Sequence, residues 1–202
     1  MACRCGRSFF GLSFAVKIQT IFPLPQTYLP ISACLLGINT KYSGSNNVCA
    51  SLLHLVNADY FVPIPFCPEQ LGGLETPREK SEICREKVVT KNGRDVSYQF
   101  QYGAKEALKI VQLYRNIKFI LLKSYSPSCA AGVIYDGSFS GTKVSGNGIS
   151  AQLFIDNGYC CVGSDVFSRP LQVGYYLGLA QKYSEQIFDE SEMKENGCFY
   201  CG

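Results

Sequence analysis

The stretch 117–129, IKFILLKSYSPSC, runs from a short apolar segment through a lysine and a serine-rich turn to a cysteine. Just upstream, Phe100, Ala104, Ala107, Leu108 and Val111 recur at helical spacing. A helix over 95–116 is therefore predicted to lead into a buried strand over 117–122. Working outward, the same kind of unit recurs. The run 28–36 (YLPISACLL) predicts a strand ending at Gly37, and 46–57 a short helix. The run 60–66 (YFVPIPF) predicts a strand whose prolines suit an end or an edge, because proline cannot donate to a central ladder. Residues 147–157 predict a helix closed by Gly158, and 159–163 a last strand. Strands separated by helices imply an α/β, Rossmann-like, mostly parallel sheet with helices on both faces.

Composition narrows the functional classes. The 202 residues are 47% hydrophobic and 17% charged, which supplies a core and excludes a disordered or collagen-like chain. No apolar run approaches the roughly 20 residues that span a bilayer, so no membrane role is expected. A net charge of +3 is too small to argue for nucleic acid by itself. Eleven cysteines is an odd count in a chain too long for a disulfide-stapled mini-scaffold. The single histidine, His54, sits in SLLHLV on an apolar helical face and reads as a packed core residue, with nothing around it to suggest a hydrolase. The close pairs Cys3/Cys5, Cys160/Cys161 and Cys198/Cys201 do not supply two facing CxxC pairs, so zinc-ribbon spacing is absent.

The chain divides into three. Residues 1–26 carry Arg4, Arg7 and Lys17 and no acid, as expected of a disordered extension, an organellar transit segment or an upstream start. Residues 27–165 hold the alternating strands and helices. Residues 166–202 predict an amphipathic helix over 173–187, followed by an acidic segment and the terminal CFYCG. A lone CxxC there, at Cys198 and Cys201, is a weak redox or metal signal.

In an open α/β sheet, ligands bind beyond the carboxyl ends of the strands. Three cysteines fall at such ends: Cys34 in ISACLLG, Cys67 in PFCPEQLGG and Cys129 in LLKSYSPSCAAG. Any one alone reads as a buried, inert thiol, but three at equivalent positions converge on one rim. Thiolates are soft ligands that favour iron–sulfur clusters or zinc. Three on a four-iron cluster would leave one iron open to act as a Lewis acid, and with no fourth protein ligand evident, iron is preferred.

The motifs ISACLLG (31–37), KYSG (41–44), FCPEQLGGLETPREKSE (66–82), NGRDVSYQFQYGAKEAL (92–108), LLKSYSPSC (121–129), IYDGSFSG (134–141) and GNGISAQL (146–153) together resemble the thiouracil desulfidase family, in the family's order. The resemblance spans about 28–165 and neither terminal segment. It implies a [4Fe-4S] cluster held by Cys34, Cys67 and Cys129, and an enzyme that converts 2-thiouracil to uracil and sulfide without net redox change. It further implies that Glu69 is an acid/base carboxylate and Ser126 an active-site serine. Read without the family, Glu69 caps the following turn and Ser126 a helix start. Lys123 and Ser128 are expected close behind the site, and Gly72 and Gly73 are expected to permit tight backbone approach near the cluster. Asp136 either pins the loop after Cys129 or sits in a solvated turn.

The chain departs from the family pattern in places. Thr40 stands where many relatives have cysteine, KYSG replaces RYDG and so puts Ser43 in place of aspartate, and Ala130 follows Cys129 where glycine is usual. None removes an implied cluster ligand. The expected partner is a small thiolated pyrimidine, with thiouridine in tRNA the less favoured substrate. The reading from another class is a non-catalytic iron–sulfur or zinc-binding interaction protein. A cluster suits a reducing compartment, so a cytoplasmic location is expected, or a mitochondrion-related organelle if 1–26 is a transit peptide. No feature of the sequence sets an oligomeric state.

Overall fold

The computed structural model describes residues 27–57, 61–115, 117 and 119–168. The extension 1–26, the helix expected over 173–187, and Cys198 and Cys201 lie outside the described residues, as does the side chain of His54. In chain order the elements are β1 (Thr27–Ser32), α1 (Ala50–Asn57), β2 (Phe61–Phe66), the single turn α2 (Pro68–Leu71), β3 (Ser81–Cys84), β4 (Lys87–Thr90), α3 (Ser97–Gln112), β5 (Phe119–Leu122), β6 (Val133–Tyr135), β7 (Lys143–Ser145), α4 (Ile149–Asp156) and β8 (Cys160–Gly163).

Four of these strands form a parallel sheet in the order β2-β1-β5-β8. They are the four strands expected from sequence. β5 shows why the sheet must be covered twice: Phe119 and Leu121 enter one apolar cluster, Ile120 and Leu122 the other. The first cluster joins Leu29, Ile31 and Val162 to Leu52 of α1. The second joins Phe66 and Cys161 to Ala107 and Val111 of α3 and Ala151 and Phe154 of α4. Helices therefore lie on both faces. Each fully buried leucine or isoleucine contributes about 1.5–3 kcal/mol. β2 is an edge strand, which is where its Pro63 and Pro65 can be accommodated.

Several boundaries differ from the sequence reading. The strand expected over 28–36 stops at Ser32, and Ala33–Leu36 wind into a 3-10 turn closed by Gly37 at φ 87°. Apolar side chains continue through both pieces, which hides the change of backbone from the pattern. α1 begins only at Ala50, because the preceding chain is tied sideways, Asn47 N donating to Cys34 O and Cys49 N to Leu35 O. α3 starts at Ser97, where Asp95 Oδ1 accepts both the Ser97 N–H and its hydroxyl. The antiparallel hairpins β3–β4 and β6–β7 were not expected. Their strands are only three or four residues long, and charges in SEICREKVVT obscure the alternation.

The sheet order places the site. The chain leaves β1 for β2 on one side and then, through α3, reaches β5 on the other, so β1 and β5 flank a topological switch point. α2 is pressed onto α3 at backbone distance. A Cβ on Gly103 would lie 1.8 Å from Pro68 O, and one on Gly72 would lie 2.0 Å from Gln99 O. Gly103→Ala should therefore push α2 off α3 and destabilise the fold by about 1–3 kcal/mol, read as a lower urea midpoint at unchanged slope.

Candidate active site

Beyond the carboxyl ends of β1, β2 and β5 lies a cavity of about 340 Å³. Cys34, Cys67 and Cys129 all line it. Cys34 sits in the 3-10 turn that follows β1, and Cys67 follows β2 directly, its carbonyl accepting the Leu71 N–H to open α2. Cys129 ends the turn after β5, with Ser126 Oγ accepting its N–H at 3.2 Å. Each sulfur has polar neighbours: the Asn47 side chain for Cys34, the backbone N–H groups of Gln70 and Glu69 and the Thr40 carbonyl at 3.8 Å for Cys67, and the Ser32 hydroxyl for Cys129.

Burial pushes all three thiols above the usual cysteine range, Cys129 most strongly. Charge on the other sulfurs opposes ionisation further at Cys34 and Cys129. Three buried sulfurs facing one space can all be thiolates only around a positive charge, which is what a metal centre provides. Among the described residues, no group of three Cys, His, Asp or Glu is placed to hold a metal ion. The three thiols line the wall of one cavity, each on its own loop, and form a soft donor set of the kind that iron–sulfur clusters and zinc take.

A carboxylate and a guanidinium share this wall. Glu69, in the first turn of α2, receives the Arg78 Nε–H on Oε2 at 2.7 Å. The side chains are 15% and 7% exposed, so the pair is held largely out of water. The rest of the guanidinium goes elsewhere: Nη2 donates to Thr40 O at 2.9 Å, and Nη1 to Thr76 Oγ1 at 2.9 Å and Glu75 O at 3.2 Å. The Arg78 N–H also donates to Tyr42 O. Lys123 faces the sulfurs from the end of β5. Burial pulls its ammonium below the usual lysine range, while Cys34 and Cys129 oppose that shift.

The turn bearing Cys129 is braced from several sides. Ser126 Oγ accepts the N–H groups of Ser128 and Cys129, and Ser126 O accepts the Ala130 N–H, so this serine caps a single helical turn. Both lone pairs of its hydroxyl are taken, leaving only its proton to offer. Ser128 is fully buried and its hydroxyl meets that of Ser150 on α4 at 3.0 Å. Ser124 Oγ donates to Asp165 Oδ1 at 2.6 Å, tying the turn to the end of β8. The Lys123 N–H donates to Ser32 Oγ, joining the ends of β5 and β1.

The family model described as 2-thiouracil desulfurase matches residues 29–165. The chain belongs to the 2-thiouracil desulfurase family. A Bacillus subtilis (strain 168) protein described as the uncharacterized protein YbbK is 38% identical over 139 residues, covering 64% of this chain and 90% of its own length. A solved structure of TudS, a [4Fe-4S]-dependent thiouracil desulfidase, aligns with TM-score 0.66 and 36% identity over 76% of this chain and 99% of that one.

Within this family fold, Cys34, Cys67, Cys129, Glu69, Ser126 and Lys123 line one cavity. Ser128, Gly72 and Gly73 do not line it. The close approach that Gly72 permits is between α2 and α3 and not to the cavity, while Gly73 is an exposed turn residue at φ 83°. Asp136 lies in the exposed turn between β6 and β7, its carboxyl held below the usual range by the Ser138 hydroxyl and N–H. Ala130 adds no bulk to the cavity, being fully buried outside its lining. Ser43 is exposed and bonds Ser45. At position 40 both Arg78 and the Cys67 thiol use the carbonyl oxygen, which any residue supplies.

Arg78, Asn47, Lys80, Tyr125 and Tyr135 also line the cavity and were not singled out from sequence. Arg78 stands in the quoted stretch GGLETPREKSE, but sequence alone does not show that it folds back onto Glu69. Tyr125 adopts φ 64°, a strained conformation for an aromatic residue, with Lys143 Nζ 3.6 Å from its ring centroid. Ser126→Ala should lower stability by about 1 kcal/mol through loss of the cap, measured by urea unfolding. Lost activity with an unchanged unfolding midpoint would assign the hydroxyl to substrate instead.

Proposed function

We propose that residues 27–165 hold a [4Fe-4S] cluster on Cys34, Cys67 and Cys129 and desulfurate a thiolated pyrimidine. In the simplest case 2-thiouracil and water give uracil and hydrogen sulfide: a C–S bond breaks, a C–O bond forms, and no electron enters or leaves. The observation that carries this reading is the meeting of three thiols and a carboxylate, from three separate strand ends, on one cavity in a chain of this family. When bound, such a cluster supplies an iron without a protein thiolate, a soft Lewis acid suited to a thiocarbonyl sulfur.

The chain's own residues do the rest. Arg78 occupies Oε2 of Glu69, and among the described residues Oε1 has no hydrogen-bond partner, so Oε1 is the atom that takes the proton from the attacking water. The same carboxyl then delivers that proton to the departing sulfur, and the second water proton, released from the new C–OH as C=O forms, completes hydrogen sulfide. Ser126, with its oxygen saturated by two N–H groups, acts as a donor and orients the water or the pyrimidine oxygen. Lys123 places positive charge beside the sulfurs, offsetting the negative charge that thiolates and departing sulfide bring into a buried site. The cavity is at the small end of the range for organic ligands, which favours a free base over a nucleoside embedded in RNA.

The protein purified without oxygen should contain about four irons and four acid-labile sulfides per chain, absorb in the visible and release sulfide from 2-thiouracil. Cys129→Ser should lose both the cluster and the turnover. A full cluster with no turnover on thiopyrimidines would leave a non-catalytic cluster protein, and zinc after faithful reconstitution would overturn the reading. Glu69→Gln should keep the visible spectrum and lower kcat by about 10²–10⁴-fold, measured as sulfide released per cluster.

A further inference from the structure

Arg78 is more deeply buried than the carboxylate it pairs with, and it does not pair with it in the usual way. A guanidinium that only neutralises a carboxylate tends to grip both oxygens in a parallel fork. Here a single Nε–H reaches Oε2 of Glu69, and the two Nη groups are spent on Thr40 O, Thr76 Oγ1 and Glu75 O. Those acceptors belong to different pieces of chain. Thr40 follows the Cys34 turn, Glu69 lies on α2 just after Cys67, and residues 75–78 lead into β3. The planar fork thus fixes the direction of one Glu69 oxygen relative to the Cys34 loop.

We propose that Arg78 is a positioning residue for catalysis, acting through Glu69: it pins Oε2 and thereby aims Oε1 at the reacting water. This rests on the role given to Glu69 above. A lysine could reach Glu69 or Thr40 but could not present the planar set of donors that holds both. In this role Arg78 acts on the rate through Glu69, so its removal slows turnover only while Glu69 is there to be aimed.

The test is a double-mutant cycle on cluster-loaded protein, with 2-thiouracil as substrate and rates expressed per cluster. Arg78→Ala should lower kcat by about 10²-fold while KM changes less than about 3-fold. Arg78→Lys should recover less than a tenth of the lost rate. Added methylguanidinium should restore part of the activity of Arg78→Ala but none of that of the Glu69→Gln, Arg78→Ala double variant. That double variant should be no slower than Glu69→Gln alone. Two measurements do not depend on turnover: iron content, and calorimetric affinity for uracil, both expected unchanged in Arg78→Ala.

An equal further loss on adding Arg78→Ala to Glu69→Gln would overturn the inference, since Arg78 would then act independently of Glu69. Loss of iron from both Arg78 variants, with Glu69→Gln retaining it, would also overturn it and assign Arg78 to holding the cluster loops. If Glu69→Gln turns over normally, the role given to Glu69 fails first and the inference with it. A slow Glu69→Gln beside an unimpaired Arg78→Ala overturns the inference alone.

Discussion

Three sulfurs buried around one cavity set the terms for the chain near them. Burial drives each toward the neutral thiol, and ionising one makes the next harder to ionise. The surroundings work the other way at each position. Asn47 and Ser32 donate to the sulfurs of Cys34 and Cys129, the backbone N–H groups of Gln70 and Glu69 donate to Cys67 with Arg78 adding positive charge nearby, and Lys123 faces Cys34 and Cys129. Burial still wins at each sulfur, so three thiolates here would need a cationic centre, the role given to the proposed cluster. The parallel sheet is what brings the sulfurs together, because β1, β2 and β5 are neighbours that all end on the same side.

The polar groups around the cavity are connected, which lets so many of them leave water. Ser32 Oγ takes the Lys123 N–H and meets the Cys129 sulfur. Thr40 O takes both a guanidinium N–H and the Cys67 thiol. Ser124 joins Asp165, and Ser128 joins Ser150. A buried polar group left unpaired costs on the order of 1–3 kcal/mol, so a network of this kind holds its members in one arrangement. Each thiol loop is thereby fastened to a different neighbour: the Cys34 turn to 47–49, the Cys67 segment to α3 through Gly72 and Gly103, and the Cys129 turn to α4 and the end of β8.

Much of this was legible in the sequence. Runs such as FILL, buried on both sides, and the helical spacing of Phe100, Ala104, Ala107 and Val111 report directly on burial, and the four parallel strands follow from them. The cysteines at strand ends were visible because a strand end is a local feature. What escaped was mostly short or cross-chain. The 3-10 turn at Ala33–Leu36 continues an apolar run, the hairpins β3–β4 and β6–β7 have strands of three or four residues, the first broken up by charges, and the ion pair of Arg78 with Glu69 depends on how the loop from 73 to 80 returns. Gly72 illustrates the limit from the other side. Its need for closeness was readable, but the neighbour proved to be the backbone of α3 and not the cavity.

By itself, then, the sequence determined the fold class, the strands that build the parallel sheet and the family, and it singled out three cysteines and a glutamate that line one cavity, because these depend on periodicity and on motifs contained in short stretches. Only the tertiary structure decided the strand order β2-β1-β5-β8, the shared cavity, the placement of Ser128 against α4, and the use of Arg78 as the clasp between Glu69 and Thr40. Those features arise where segments distant in the chain meet, and hydrogen-bond geometry and close packing at such meetings are set by the whole arrangement, with no trace in the spacing of any one segment.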